Sequence, residues 1–209
     1  MECKTLYIVH KKENKINMGK INAAEKMTDE RFLNLYKLHT ENKNGEPLQY
    51  LVASRAKEVG DLKVINHKEK PDAVAMVGVT DDERIVLIKQ YRYAIGDYLY
   101  EFPAGLIDDG EDIYETAIRE MKEETGLDFV PMKTEFFSRA FYSSAGMTDE
   151  SCSIICGKVS GTVSTDKNES TEEIEVVLAD GDEIKRILRE EKVCMKTALV
   201  LMGIIYEEK

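Results

Sequence analysis

Short apolar runs, each bounded by turn-forming residues, alternate along the first half of the chain. Two of them, "RFLNLYKLHT" and "EPLQYLVASR", alternate apolar and polar positions as half-buried strands do. The segment "ENKNGE" joins them, and its Asn44-Gly45 pair favours a hairpin turn. A second hairpin is predicted from "AVAMVGVT" and "RIVLIKQYRY", which "DDE" connects. The run "YLYEFPAG" predicts one more short strand, which Pro103 and Gly105 end.

From residue 111 to 125 the apolar positions instead recur every three or four residues, which predicts a helix that Gly126 ends. Its apolar stripe is Ile113, Ala117, Ile118 and Met121. Beyond it, "TEFFSRAFY" and "CSIICGKV" predict strands around the polar loop "SSAGMTDES", and "EIEVVLA" predicts a further strand. The segments "DGDEIKRILREEK" and "MKTALVLMGIIYEE" predict two final helices.

This order of elements predicts an α+β fold in which helices pack on the faces of a sheet. We expect residues 1–29, which are rich in Lys, Asn and Glu, to be weakly ordered. We expect residues 30–70 to form an N-terminal β-hairpin region and residues 71–209 to form the main domain.

Composition and charge narrow the class of protein and its cellular compartment. The chain has 209 residues, is 43% hydrophobic and contains no run of about 18 apolar residues, so it predicts a core and no membrane span. A net charge of −11 argues against nucleic-acid binding, which normally needs a basic face. The four cysteines and three histidines show no zinc-site spacing, and we interpret the cysteines as reduced thiols of a cytoplasmic protein.

Three carboxylates converge on one side of the predicted central helix. Glu120, Glu123 and Glu124 occupy positions i, i+3 and i+4, which share one helical face. Their mutual repulsion would destabilise the helix unless a cation lies between them. Carboxylate oxygens suit hard divalent ions such as Mg²⁺, whereas a merely solvated acidic face is the alternative interpretation.

The spacing around these acids decides between the two interpretations. Gly105 is followed after five residues by Glu111 and after seven more by Arg119-Glu120. Met121, Glu123-Glu124, Gly126 and Leu127 complete nine defined positions, and in this pattern the chain resembles the Nudix hydrolases. The resemblance implies an α/β/α sandwich with a mixed sheet, beside the N-terminal antiparallel hairpin.

The resemblance also implies roles for the motif. Glu120, Glu124 and the backbone carbonyl of Ala104 match the ligands of Mg²⁺, for which Mn²⁺ is a substitute. Glu123 matches a further ligand or a residue that contacts a bound water. Arg119 matches the arginine that orients the carboxylates, and Glu123 and Arg119 belong to the catalytic set. Glu111 matches a structural position. Gly105 and Gly126 are expected at turns that need unusual backbone angles.

The flanking segments "KQYRYAIGDYLYEFPAG" and "AGMTDES" are similar to the ADP-ribose pyrophosphatase branch. This implies hydrolysis of ADP-ribose to AMP and ribose 5-phosphate in a homodimer that exchanges its N-terminal hairpin. Substrate-binding positions match Arg55, Arg92, Tyr50 and Glu101, with Tyr50 on the adenine ring; packing is the alternative role of Tyr50.

The loop "SSAGMTDES" carries the expected general base. Glu150 matches the glutamate that activates water in some relatives, and Asp149 is its rival. The loop has Ala145 where the branch usually has proline, so UDP- or GDP-sugars, dinucleotides and oxidised nucleoside triphosphates remain alternative substrates. A ligand-binding regulator without turnover is the alternative from another class.

Overall fold

The computed structural model describes residues 7–8, 20–137, 139–166 and 173–207, with side chains from residue 20 to residue 206. They divide into two compact units. The first holds the described residues up to Lys70 together with Tyr142–Ser151, and the second holds those of Pro71–Phe141 and from Cys152 onward. In the described part of the chain, no helix has the length and apolar character needed to cross a membrane.

The first unit is built on an antiparallel sheet with the strand order β1-β2-β3-β4. Its strands are β1 (Tyr7–Ile8), β2 (Lys20–Lys26), β3 (Asn34–Glu41) and β4 (Pro47–Ser54). The predicted hairpin is β3–β4, paired from Asn34 with Ser54 to Glu41 with Pro47. Strand β2 and residues 27–29 lie inside the segment for which we expected little order. Apart from β1, the earlier part of that segment, residues 1–6 and 9–19, lies outside the described residues.

One face of this sheet buries a small apolar core. Alternate residues of β3, Tyr36 and Leu38, point into it and meet Val52 of β4. A 3₁₀ turn (Val59–Asp61) and the short helix α1 (Lys63–Asn66) cover the core, with Leu62 fully buried between them. The alternation that predicted the hairpin therefore marks its buried face.

The second unit is built on a mixed sheet of eight strands with the path β10-β11-β5-β6-β12. Strands β7, β8 and β9 pair with β6, β5 and β11, and only the β11–β5 pair among those whose register is defined is parallel. The strands are β5 (Ala73–Val79), β6 (Ile85–Arg92), β7 (Asp97–Glu101), β8 (Ala104–Leu106), β9 (Asp128–Pro131), β10 (Phe141–Tyr142), β11 (Ser151–Ser160) and β12 (Ile174–Ala179).

Helices cover both faces of this sheet. They are α2 (Ile113–Thr125), α3 (Gly181–Glu190) and α4 (Met195–Glu207). Val74 and Met76 of β5 share a core cluster with α2, whereas Ala75 and Val77 share the opposite cluster with α3 and α4. A strand buried on both faces reads as a continuous apolar run, as "AVAMVGV" does. The predicted α/β/α sandwich is confirmed.

Two local predictions are corrected, and one strand was missed. The run "TEFFSRAFY" was expected to be a strand, but residues 135–137 form a turn and only Phe141–Tyr142 is a strand, with residue 138 outside the described chain. Strand β9 was not predicted, because it follows α2 directly and has only four residues. Ile118 was placed on the apolar stripe of α2, yet it is 45% exposed.

The described cysteines are not cross-linked. No disulfide joins Cys152, Cys156 and Cys194, as expected of thiols. Cys152 is buried in β11, and burial raises the pKa of the half-buried Cys156 thiol above its ordinary value. Cys3 lies outside the described residues.

Candidate functional site

Helix α2 begins and ends at residues that its sequence selects. The carboxylate of Asp112 accepts hydrogen bonds from the N–H groups of Tyr114 and Glu115, at 2.7 and 2.9 Å, and the Glu115 carboxylate accepts from the Asp112 N–H. At the other end Gly126 has φ 75°, the left-handed conformation that glycine tolerates best. The helix therefore starts two residues later than predicted, and Glu111 lies just before it.

The helix lies very close to strand β8. A side chain at Gly105 would place its Cβ 1.9 Å from Cδ of Glu120, so only glycine leaves room for that carboxylate. Gly105 is not in the left-handed region, unlike Gly126. The expected reason for Gly105, an unusual backbone angle, is therefore wrong, and its actual contribution is space.

The guanidinium of Arg119 gathers the acids around it. Its Nε and Nη2 donate to the two oxygens of Glu111, both at 2.9 Å, and its Nη1 donates to Glu120 at 2.8 Å and Glu123 at 3.1 Å. Nη2 also reaches the Leu106 carbonyl at 3.3 Å. The hydrogen bonds from Arg119 lower the pKa of Glu111 to about 2, and those to Glu111 and Glu120 raise the pKa of Arg119. Arg119 thus holds the carboxylates of Glu111, Glu120 and Glu123 by hydrogen bonds.

Glu124 lies deeper than its neighbours, with 3% of its surface exposed. One of its oxygens accepts a hydrogen bond from the N–H of Ala104 at 3.0 Å. Because a buried carboxylate is costly unless it has hydrogen-bond partners, this contact fixes its direction. Helix α2 therefore sets Glu120 against Gly105 and Glu124 against Ala104, in one row along β8.

A second buried acid lies at the end of β7. Glu101 is 5% exposed, and its carboxylate accepts a hydrogen bond from Nε of Arg92 at 2.5 Å. Burial alone would lower the pKa of Arg92, but the hydrogen bond to Glu101 and the charges of Glu101 and Glu124 raise it above its ordinary value. Two predicted substrate residues, Arg92 and Glu101, thus form one ion pair.

The donor chemistry of this row suits a hard divalent cation, because every predicted ligand atom is a carboxylate or carbonyl oxygen. Within the described residues, however, no three His, Cys, Asp or Glu side chains already converge as a metal-binding group. Glu120 and Glu123 point to Arg119, and Glu124 points to the N–H of Ala104. To bind a cation, these carboxylates would give up their hydrogen bonds to Arg119 and to the Ala104 N–H and turn their oxygens toward the ion.

The remaining predicted residues belong to the first unit. Nε of Arg55 donates to the Glu150 carboxylate at 2.9 Å, an ion pair in which both side chains are partly exposed. The structure thus joins a predicted substrate-binding arginine with the predicted base.

Asp149, the rival base, has a structural contact. One of its carboxylate oxygens accepts a hydrogen bond from the backbone N–H of Lys63 at 3.3 Å, at the start of α1. Nζ of Lys63 also donates to the hydroxyl oxygen of Ser151, the first residue of β11. Lys63 was missed in the sequence, because its partners lie 86 and 88 residues away and no local pattern marks it.

Tyr50 is held by its hydroxyl group. The hydroxyl donates to the Gly146 carbonyl at 2.5 Å, and the nearby N–H of Ala53 donates to the Met147 carbonyl at 2.9 Å. Tyr50 is 38% exposed. Strand β4 therefore fastens the segment that contains Ala145, and Tyr50 takes part in that attachment.

The chain is similar in sequence to known proteins. The model of the NUDIX domain matches residues 69–192. "Putative nudix hydrolase 2" of Caenorhabditis elegans is 37% identical over 136 residues, which cover 59% of this chain and 60% of that protein. "ADP-ribose pyrophosphatase" of Bacillus subtilis is 31% identical over 150 residues, covering 70% of this chain and 77% of that protein.

A solved structure shares the fold. The crystal structure of an ADP compounds hydrolase superimposes with a TM-score of 0.63, covering 94% of this chain and 98% of the other, at 20% sequence identity. At that identity the likeness concerns the fold alone.

Proposed function

The chain belongs to the Nudix family, and we propose that it hydrolyses the diphosphate linkage of ADP-ribose or a related nucleoside diphosphate sugar. With ADP-ribose the products would be AMP and ribose 5-phosphate. The observation that carries the proposal is the row of carboxylates that Arg119 and Ala104 fix along β8. The similarity to the Bacillus subtilis ADP-ribose pyrophosphatase supports the substrate class.

Nudix hydrolases generally use a divalent metal ion, and we propose Mg²⁺, with Mn²⁺ as a substitute. Glu120, Glu123, Glu124 and the carbonyl of Ala104 would hold it. When bound, the ion supplies positive charge that offsets the charge of the diphosphate oxygens. Arg119 keeps the carboxylates of Glu120 and Glu123 within reach of one another by donating to both from Nη1.

Substrate binding is assigned to the other polar residues. Arg55 and Arg92 would donate to the diphosphate, because a guanidinium group matches phosphate oxygens in charge and shape. Glu101 would orient Arg92 through their ion pair. Tyr50 would offer its exposed ring to adenine while its hydroxyl stays on Gly146.

Glu150 would act as the general base. It would take a proton from a water molecule whose oxygen then bonds to phosphorus, while the bond from that phosphorus to the bridging oxygen breaks. Asp149 is the weaker candidate, because its carboxylate anchors the start of α1.

The resemblance further supports a cytoplasmic homodimer, in which the N-terminal hairpin is exchanged between two copies. Light scattering at micromolar concentration tests this part separately. A monomer would contradict the exchanged hairpin without affecting the assignment of the reaction.

The substrate panel is the first test. With Mg²⁺ present, we expect product release to be fastest with ADP-ribose among ADP-ribose, ADP-glucose, UDP-glucose, GDP-mannose, NADH, a dinucleoside polyphosphate and 8-oxo-dGTP. Faster turnover of another sugar nucleotide would show that Ala145, in place of the usual proline, marks a different specificity. No turnover with any compound would favour a ligand-binding regulator.

A pair of variants links this activity to α2. Glu120→Gln should lower kcat by about 10²-fold or more, because it removes a charge from the carboxylate row. Glu115→Gln is the matched control on the same helix, since glutamine preserves the contact with the Asp112 N–H. Equal activity of both variants would contradict the assignment of the row.

A further inference from the structure

The backbone between β7 and β8 carries one buried acid of the site, Glu101, and contacts the other, Glu124 of α2. Glu101 ends β7, Ala104 begins β8, and Phe102 and Pro103 connect them. The Ala104 N–H donates to Glu124, and the Pro103 carbonyl accepts from the Met76 N–H at 2.8 Å. The direction of this four-residue segment therefore sets where Glu101 and the Ala104 carbonyl point.

The backbone N–H of Phe102, in the segment that connects β7 and β8, is bound by a residue remote in sequence. The Phe102 N–H donates to the side-chain hydroxyl oxygen of Thr197, at 3.1 Å, across 95 residues of chain. Thr197 has no exposed surface, and Phe102 is 2% exposed. Water therefore cannot replace this acceptor without opening the core.

Thr197 is a polar residue buried beside an apolar core cluster. It lies in the first turn of α4, whose other buried residue, Leu201, belongs to an apolar core cluster. The residues just before it also join β7: the Tyr100 N–H donates to Lys192, and the Cys194 N–H donates to Tyr100. The start of α4 thus follows the strand up to the connection.

We propose that Thr197 is a positioning residue of the site, whose hydroxyl fixes the Phe102 peptide and thereby the directions of Glu101 and of the Ala104 carbonyl. This inference rests on the proposed function. Because Thr197 has no exposed surface, it would act through the Phe102 peptide and not by touching the substrate or the cation. Valine has nearly the same shape but no acceptor, so it would leave the Phe102 N–H buried without its partner.

The test compares Thr197→Val with Thr197→Ser, which keeps the hydroxyl. We expect the valine variant to bind Mn²⁺ and to turn over ADP-ribose about tenfold less well, as loss of a supporting hydrogen bond typically does, and serine to restore both. Amide hydrogen exchange should accelerate at residues 100–104 and stay unchanged in α2. Thr80→Val is the matched control, because the Thr80 hydroxyl also accepts a backbone hydrogen bond, from Arg84, in the β5–β6 turn.

The outcomes separate the two proposals. If the valine variant turns over ADP-ribose and binds Mn²⁺ as well as the wild type does, the proposed role of Thr197 is wrong, but the proposed function still stands. Absence of turnover in the wild-type protein would contradict the proposed function, while Mn²⁺ binding and hydrogen exchange would still decide the role of Thr197. If the valine variant fails to fold, Thr197→Ala replaces it; failure of both would show that Thr197 is structural, which also overturns the proposal.

Discussion

The acidic helix α2 and the loop Tyr142–Ser151 hold their predicted catalytic acids in different ways. In α2, the two acids that Arg119 contacts, Glu120 and Glu123, lie one and four residues from it in sequence. In the loop, Glu150 pairs with Arg55, which lies 95 residues away. The first arrangement follows from helical spacing, whereas the second exists only when the N-terminal sheet is folded.

The two arginines differ in the same way. Arg119 uses Nε, Nη1 and Nη2, all three of its side-chain nitrogens, on protein oxygens, and its side chain is 29% exposed. Arg55 is 39% exposed, and within the described residues its ion pair with Glu150 involves Nε alone. This difference fits the roles that we propose, positioning for Arg119 and substrate binding for Arg55.

The largest effect should come from the loop acids. We expect Glu150→Gln to lower kcat by about 10²-fold or more, the usual contribution of a general base. Asp149→Asn should leave kcat nearly unchanged, because the asparagine oxygen still accepts from the Lys63 N–H. Steady-state kinetics with ADP-ribose measures both.

The opposite order, a large loss for Asp149→Asn and little for Glu150→Gln, would transfer the base to Asp149. Circular dichroism on both variants checks that the loop change does not unfold the first unit.

A smaller effect should separate the two arginines. Arg119→Lys loses the planar fork that serves Glu111, Glu120 and Glu123 together, so metal affinity or kcat should fall by about 10- to 100-fold. Arg55→Lys keeps a charge but loses a directed hydrogen bond to phosphate, and its KM should rise about tenfold with little change in kcat.

Both kinetic constants and Mn²⁺ affinity should be measured for each lysine variant. A change confined to KM in Arg119→Lys would contradict its positioning role. A fall in kcat alone in Arg55→Lys would mean that Arg55 acts through Glu150 rather than on the substrate.

The same contrast explains what the sequence could predict. The face formed by Glu120, Glu123 and Glu124 depends only on the period of a helix, so residue spacing was sufficient to identify it. Ile118 was misplaced because the helix meets the sheet through a narrower stripe, which includes Ala117 and Met121. The surface against which a helix packs decides which of its residues are buried, and the spacing of apolar residues within the helix does not reveal that surface.

Contacts over long sequence separations were beyond prediction for a related reason. Nothing in the local sequence of Lys63 or Thr197 indicates Asp149 or the Phe102 peptide as a partner. Strand β9 is likewise defined by its pairing with β11, from Asp128 with Ser160 to Pro131 with Gly157. A strand as short as this is formed by pairing with its neighbour in the sheet, and its own sequence is too short to predict it.

The smallest predicted effect concerns the acid that anchors Arg119. Glu111 has an ordinary pKa of 4.5 and a folded-state pKa of about 2, chiefly because Arg119 donates to it. A lowered folded-state pKa stabilises the protein fully above pH 4.5, and this contribution disappears as the pH falls toward 2. Denaturant unfolding of the wild type and Glu111→Gln should therefore differ most near pH 6 and converge at low pH.

The pH dependence also separates the two contacts of Glu111. Its carboxylate pairs with Arg119 and accepts a hydrogen bond from the Thr116 hydroxyl at 2.8 Å. Glutamine keeps an oxygen for Thr116 but has no charge for Arg119, so a difference in unfolding free energy that shrinks with falling pH assigns the stabilisation to the ion pair. A difference that stays constant from pH 6 to pH 3 would assign it to hydrogen-bond geometry instead. In that case Arg119 would need only an acceptor at residue 111, and the carboxylates of α2 would keep their arrangement in acid.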